Sequence, residues 1–440
     1  MQTPSSLMNL RQKLTALGVE TLELLKFQKR QSFIETISSL CKSLLQLRGE
    51  ASSIAIAEEI LHLYAKASDA EKKQYFVYLY TELGADTSSV NKAIADFQNT
   101  NTQLALHNLA LASESQRLEL FRTLNTAPKG TMALIAMRED LYKLMAKAPE
   151  FDLLDQELLC LFRAWFNRGF LELRHIDWQT PAFILEKLIQ YESVHAITGW
   201  ADLRRRLESD RFCYAFFHPA IRDVPLIFVE VALTNSVSNN IANLLQQDPP
   251  NGEASAFDTA IFYSINNCLL GLRGVSFGNF LIKQVVEDLA TAQHDIRNFV
   301  TLSPVPGFMH WLKSFDKLAT LLNAEEVEAV NALLTASSMR SVVNSNSQLY
   351  RVLPRLCAYY LVNAKSRNKP TDPVARFHLG NGARLDRINW MADSSDNGLA
   401  QSAGLMVNYV YDKQTLALNH EAYEHHNKVV YSPGIQKLLV

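Results

Sequence analysis

The sequence predicts an α+β protein, with an all-α helical bundle over residues 1–177 followed by a mixed α/β domain over 178–440. Two observations carry this. From Ser6 to about Leu173 the apolar residues recur at helical spacing, and Pro4 is the single proline ahead of Pro128. Near Trp178 the pattern changes to short β-branched and aromatic runs separated by turns and helical stretches. A helical run followed by such alternation is the signature of α+β or α/β architecture.

Within the bundle, Ser68-x-x-Glu71 and Ser113-x-x-Gln116 have the spacing of capping boxes. After the first, Tyr75, Phe76, Leu79, Tyr80 and Leu83 form an apolar stripe; after the second, Leu118, Phe121 and Leu124 form another. Pro128-Lys129-Gly130 interrupts the pattern, Met132 to Met145 resumes it, and Leu153 to Leu173 reads as a last helix containing Trp165 and Phe166. The strand candidates that follow are Phe212–Phe217, Leu226–Leu233, Ala260–Ile265, Asn298–Leu302 and Gly404–Tyr411, with helical spacing between Leu312 and Tyr360. No internal repeat is present.

Composition narrows the function classes. With 440 residues, 48% hydrophobic, 20% charged and a net charge of −2, the chain has no field to hold nucleic acid or an anionic membrane. The longest basic run, Arg204-Arg205-Arg206, reads as a solvated helix face, with a contact to nucleotide phosphates as the sharper alternative. Five scattered cysteines form no C-x-x-C or Cys/His pair at ligand spacing, so reduced thiols are expected. His420-Glu421-Ala422-Tyr423-Glu424-His425 has its second histidine one residue late for a zinc helix, and no metal is expected. No Walker loop, G-x-S-x-G elbow or kinase signature occurs.

The chemistry concentrates between Ala260 and Trp311. A strand-like run ends at the loop Arg273, Gly274, Val275, Ser276, Phe277, Gly278 and Asn279. Phe280, Leu281, Val285, Val286 and Leu289 then fall at helical spacing. Two glycines let the backbone turn tightly, and the first turn of the helix turns its free N–H groups toward the loop. That arrangement suits a pyrophosphate, although a plain crossover unit has the same pattern. Ser303 follows the last strand-like run and precedes a proline-stiffened turn, a place for a turn residue or for a group presented to ligand. His378 lies in Phe377-His378-Leu379, where a buried core histidine or an acid–base group would fit.

Several segments, in order, carry a resemblance: FFHP from Phe216, PLIFVEVALT from Pro225, GVSFGNFLIKQVVEDL from Gly274, LSPVPGF from Leu302 and FHLGNGARLDRINWMADSS from Phe377. Together they resemble the malonyl-CoA decarboxylase family over most of the chain, most closely from Thr180 to Leu439. The loop Arg273-x-x-Ser276-x-Gly278 is similar to the Q/R-x-x-G-x-G/A signature of the acetyl-CoA-dependent acyltransferase superfold, with serine for the first glycine.

The resemblance implies a C-terminal acetyltransferase-like (GNAT-type) domain that converts malonyl-CoA to acetyl-CoA and carbon dioxide without a cofactor. It implies that Ser303 engages the malonyl carboxylate or accepts a proton, that His378 donates a proton, and that CoA lies across residues 273–279. Asn389, Asp393 and Tyr411 fall in matching segments, as candidates for ordering the pair or for purely structural roles. Some relatives carry glutamate at the position of Ser276, so a role needing a carboxylate there does not transfer. The resemblance also implies a homodimer or homotetramer assembled through the helical domain. The terminal segments show neither a continuous apolar leader nor a peroxisomal tripeptide, and the expectation is a bacterial-type cytoplasmic enzyme. Two other readings stay open at this point: an acyltransferase of the same superfold, and a non-catalytic CoA-responsive interaction protein.

Overall fold

The computed structural model describes residues 32–47, 49–246, 257–275, 277–293, 295–366 and 368–439. Ser276, one residue of the expected phosphate loop, lies outside them, as do residues 1–31 and 48 of the expected bundle. The chain divides into two compact units. The first comprises residues 1–170 with 218–222 and 269–275; the second comprises 171–217, 223–268 and 276–440.

The first unit is helical, as its 3.6-residue periodicity requires. Its helices include Phe33–Gln46, Glu50–Lys66, Asp69–Glu82, Gly130–Met145 and Asp152–Trp165. The Ser68/Glu71 capping box is formed. The second expected box is not: Ser113 closes the helix Gln103–Ala112, and Ser115 caps Gln116–Leu124 by accepting from the Leu118 N–H. Tyr75, Phe76, Leu79, Leu83, Phe121 and Leu124 are buried, whereas Tyr80 stays exposed. Arg138, 1% exposed, pairs with Asp155 and donates to the carbonyls of Gly271 (2.8 Å) and Arg273 (2.9 Å). That fixes the loop 269–275 to the helices of this unit.

The expected last helix is shorter than its apolar run. It stops at Trp165, and Leu173 belongs instead to strand β1 (Glu172–Ile176), so the second unit begins seven residues ahead of Trp178. Strands β2 (Arg211–Phe217), β3 (Ile227–Thr234), β4 (Thr259–Asn267), β5 (Asn298–Thr301) and β6 (Ser303–Pro304) follow. After the small hairpin β7 (Lys365–Ser366) and β8 (Lys369–Pro370) come β9 (Arg384–Asn389) and β10 (Met406–Val410). Eight of them form one sheet in the order β1-β2-β3-β4-β5-β10-β6, with β9 also paired to β10. Every pairing in it is antiparallel except β4–β5. The β4–β5 crossover is carried by the helix Gly278–Ala292, as parallel strands demand.

Two irregularities shape the sheet at β4. Glu230 pairs with Ser264 while Val231 pairs with Phe262, so Tyr263 is a bulged residue without a partner on β3. The β4–β5 ladder ends where the Leu302 N–H donates to the Phe262 carbonyl, and past that point the two strands part. The arginine run also departs from expectation. Arg205 forks onto Asp210 and Arg206 pairs with Glu230 and Asp202, both arginines being about 4% exposed. These two are neither solvated nor free for phosphate; Arg204 alone lies outward, over the Trp178 ring.

Candidate active site

Beyond Phe262 the gap between β4 and β6 opens into a cavity of about 330 Å³ within the second unit. Phe262, Ser264 and Asn267 line one side; Ser303, Phe377 and His378 line the other. Ser303 and His378 are 5% and 2% exposed, and the Ser303 Oγ lies 3.0 Å from His378 Nε2. Residues 75 positions apart are brought together by two different elements.

Ser303 enters from β6, where it pairs with Val407 of β10. Side chains two apart on an extended chain share a face, which places Thr301 beside it. The Ser303 hydroxyl donates to Thr301 Oγ1 at 2.8 Å, and the same oxygen accepts from the Tyr409 N–H at 3.2 Å. Thr301 is fixed in turn, because Asn408, wholly buried, donates to its carbonyl at 2.7 Å.

His378 sits in the last turn of the helix Pro373–Gly380. Asp372 caps this helix, accepting from the Val374 and Ala375 N–H groups at 2.9 Å each. Pro373 at the first helical position needs no such partner. Gly382, at φ +84°, makes the turn out of the helix, and a Cβ there would collide with the Leu416 carbonyl oxygen. The Tyr409 ring stacks on the imidazole at 4.6 Å, and the Tyr411 hydroxyl lies 2.8 Å from Nδ1.

The network assigns the tautomer. Ser303 spends its proton on Thr301, so its oxygen accepts from His378 Nε2–H; Nδ1 then accepts from the Tyr411 hydroxyl. A helix C-terminus favours a charged histidine, yet burial outweighs it and lowers His378 to about 3. Burial likewise pushes the Tyr411 phenol up, which keeps its proton available for donation. The resting pair is therefore a neutral imidazole and a neutral hydroxyl.

The cavity wall opposite is braced by a residue that sequence reading passed over. Glu192 accepts from Ser264 Oγ and Asn266 Nδ2 at 2.7 Å each, and from the Val194 and His195 N–H groups at 2.8 Å each. Of the other singled-out residues, Tyr411 meets the pair directly. Asn389 reaches it through Asn408, donating to Asn408 Oδ1 at 2.8 Å. Asp393 accepts from the Ser395 N–H instead, near the tight approach of Gly398. Arg273, Gly274 and Val275 belong to the first unit, with Gly274 at φ +89° and its carbonyl accepting from Arg163. Phe277 is buried, and the helix Gly278–Ala292 starts directly after it, with Asn279 in its first turn. Of the histidines of 420–426, His420 faces the Gly380 carbonyl and His425 pairs with Glu421. Thr301, Asn408, Tyr409 and Asp372 carried no motif; Thr301 alone had a usable signal, its spacing of two from Ser303 on a strand.

A helical region followed by a mixed sheet, with a hydroxyl–imidazole pair buried in the gap between β4 and β6, defines the class of protein, an α+β protein with a polar pair enclosed in its cavity. Residues 169–440 match the family described as malonyl-CoA decarboxylase C-terminal domain, and residues 83–166 match the malonyl-CoA decarboxylase N-terminal domain. The chain belongs to the malonyl-CoA decarboxylase family. It is 37% identical over 329 residues to the mitochondrial malonyl-CoA decarboxylase of Anser anser anser, covering 69% of this chain and 65% of that protein. With the mitochondrial enzyme of Mus musculus it shares 36% identity, covering 67% of the relative. The matches thus span about two thirds of the length of these curated relatives. Among solved structures, malonyl-CoA decarboxylase from Rhodopseudomonas palustris is 45% identical with a TM-score of 0.87, covering 93% of this chain and 100% of that one. The Agrobacterium vitis protein of the same name is also 45% identical, with a TM-score of 0.85 and coverage of 92% and 99%.

Proposed function

We propose that the protein decarboxylates malonyl-CoA to acetyl-CoA and carbon dioxide, with Ser303 and His378 as the groups that handle the substrate's charge and proton. The observation that carries this reading is the 3.0 Å Ser303–His378 contact inside the buried gap. In the reaction the bond between carboxylate and α-carbon breaks, its electron pair passes to the thioester carbonyl as an enolate, carbon dioxide leaves, and one proton is added to the α-carbon. The thioester is its own electron sink, so the chemistry requires no metal or organic cofactor.

The Ser303 hydroxyl turns from Thr301 to the malonyl carboxylate and holds the breaking bond out of the carbonyl plane. A carboxylate beside His378 favours the charged imidazolium that burial otherwise forbids. Substrate binding thus loads the histidine with a proton from solvent. Departure of carbon dioxide leaves the negative charge on the enolate, and the imidazolium proton moves to its α-carbon. The bulge at Tyr263 takes backbone groups off the ladder on the cavity wall, and we assign to it the hydrogen bond to the enolate oxygen. The CoA phosphates are assigned to the start of the helix Gly278–Ala292, a reading supported by the preceding residue, Phe277, which offers no side-chain cap to the first-turn N–H groups.

Assembly as a homodimer or homotetramer is part of the proposal. The helix Thr87–Thr100 buries none of its side chains and Gln103–Ala112 buries only Ala105, while Leu104 and Leu111 are 68% and 56% exposed. Such an apolar face on a helical pair suits a second copy of the chain. Among the described residues no helix is long and apolar enough to cross a membrane. A cytoplasmic enzyme is the compartment proposed, the mitochondrial names of the animal relatives marking the alternative.

The test is mass-spectrometric detection of acetyl-CoA from malonyl-CoA by wild type, Ser303→Ala and His378→Asn, each with and without a chelator. Chelator-resistant turnover that collapses in both variants is expected. Wild type that releases no acetyl-CoA, or variants that keep full turnover, would sink the assignment.

A further inference from the structure

A second cavity, of about 650 Å³, lies in the same unit and shares no lining residue with the Ser303–His378 gap. Its walls come from the helix Leu349–Asn363, from β9 and the residue after it, and from the helix Pro433–Leu438. Four cations line it, Arg351, Arg355, Arg387 and Lys437, and among the described residues no carboxylate does.

Only one of the four is answered by charge. Arg355 pairs with Glu326 at 2.8 Å. Arg387 donates to neutral oxygens alone, Asn408 Oδ1 at 3.0 Å and the Val237 and Ser238 carbonyls at 3.3 Å each. Those contacts fix the guanidinium in place and leave its charge uncompensated. Arg351 and Lys437 form no ion pair among the described residues. The chain as a whole is slightly acidic, so three uncountered cations around one concavity are a local feature and no part of a general basic surface. At the rim the Tyr350 ring, 60% exposed, meets Trp390 edge to face at 5.7 Å.

We propose that this cavity binds a small anion carrying two or more negative charges, held by the guanidinium groups of Arg351 and Arg387 and the Lys437 ammonium. Arginine forks match the planar or tetrahedral oxygen arrays of carboxylates and phosphates. A lysine at the mouth adds a mobile point charge. The site is separate from the helix start assigned to phosphate above and stands whether or not that assignment does.

Isothermal titration calorimetry of the full chain at low ionic strength, with pyrophosphate and with citrate as probes, tests it. Saturable binding of at least one probe is expected, undisturbed by saturating CoA and weakened at least about tenfold in the Arg351→Ala/Lys437→Ala double variant. Binding of pyrophosphate alone identifies a phosphate ligand, and binding of citrate alone a polycarboxylate. Both substituted side chains are exposed, so the variant retains its fold, with Lys437→Glu as a second check by charge reversal. Neither probe binding, equal affinity in the variants, or loss of binding on adding CoA would overturn the proposal.

Discussion

The Tyr411 hydroxyl lies 2.8 Å from His378 Nδ1, and the two side chains are 3% and 2% exposed. A phenol in that position dictates which imidazole nitrogen carries hydrogen and keeps the ring aimed at Ser303. Tyr411→Phe removes the donor and preserves the ring. We expect kcat for malonyl-CoA to fall by about 10- to 100-fold, less than the roughly 10²–10⁴-fold that a positioned acid–base group itself contributes, and KM to change little. Steady-state kinetics of the variant check this; an unaltered kcat would make Tyr411 a packing residue only.

The buried imidazole also makes stability depend on pH. Burial lowers His378 from the usual 6.5 to about 3, so the unfolded chain binds a proton that the folded site refuses. Stability therefore rises with pH across that window: the contribution is complete above about pH 6.5 and is lost as pH falls toward 3, at about 1.4 kcal/mol per pH unit. In His378→Asn this slope is absent. Urea unfolding at several values between about pH 5 and 7 should show wild type losing ground to the variant as pH drops. A gap independent of pH contradicts the reading. His195, lowered to about 4 by its own burial, steepens both curves alike.

Arg206 and Glu230 meet at 2.8 Å with exposures of 4% and 2%. Removing one partner of such a pair leaves the other charge buried, at a cost of about 3–5 kcal/mol. Arg206→Ala is expected to lose that much in chemical denaturation. The double change Arg206→Met with Glu230→Leu should recover most of the loss, since no buried charge then stays unpaired. Equal destabilisation of single and double variants would show that Arg206 acts mainly through Asp202 and the His195 carbonyl, its other contacts at 2.9 Å.

The exposed face of Gln103–Ala112 yields a fourth expectation. Leu104→Glu with Leu111→Glu places charge on a surface proposed to be covered by a second copy. Light scattering should report a smaller assembly for the variant, with its helical circular dichroism retained. An unchanged molar mass would place any interface elsewhere.

Much of the architecture was legible because it is local. Helical spacing marked the first unit, and alternating runs marked β2, β3, β4, β5 and β10 to within a residue or two. The misplacements arose where a distant partner decides. Ser113 and Ser115 both precede an apolar run, and the end of the preceding helix at Ala112 selects the second as the cap. The apolar stretch through Leu173 has no internal mark at Trp165; pairing of β1 with β2, from Glu172 opposite Phe217, ends the helical region. The arginine run reads as solvated by itself, and burial of Arg205 and Arg206 depends on Asp210 and Glu230 arriving from the sheet.

The same division holds at the candidate site. The sequence alone determined the residue types, a serine at a strand end and a histidine before a glycine turn, and the order of motifs that resembles one family. Tertiary structure decided that these two side chains lie 3.0 Å apart, that Thr301, Tyr411 and Asn408 set their hydrogen bonds, and that the imidazole is neutral. The physical reason is range. Backbone periodicity and turn chemistry act over a few residues and are written in consecutive letters, whereas burial and hydrogen-bond partnership depend on segments that meet only when the sheet has formed.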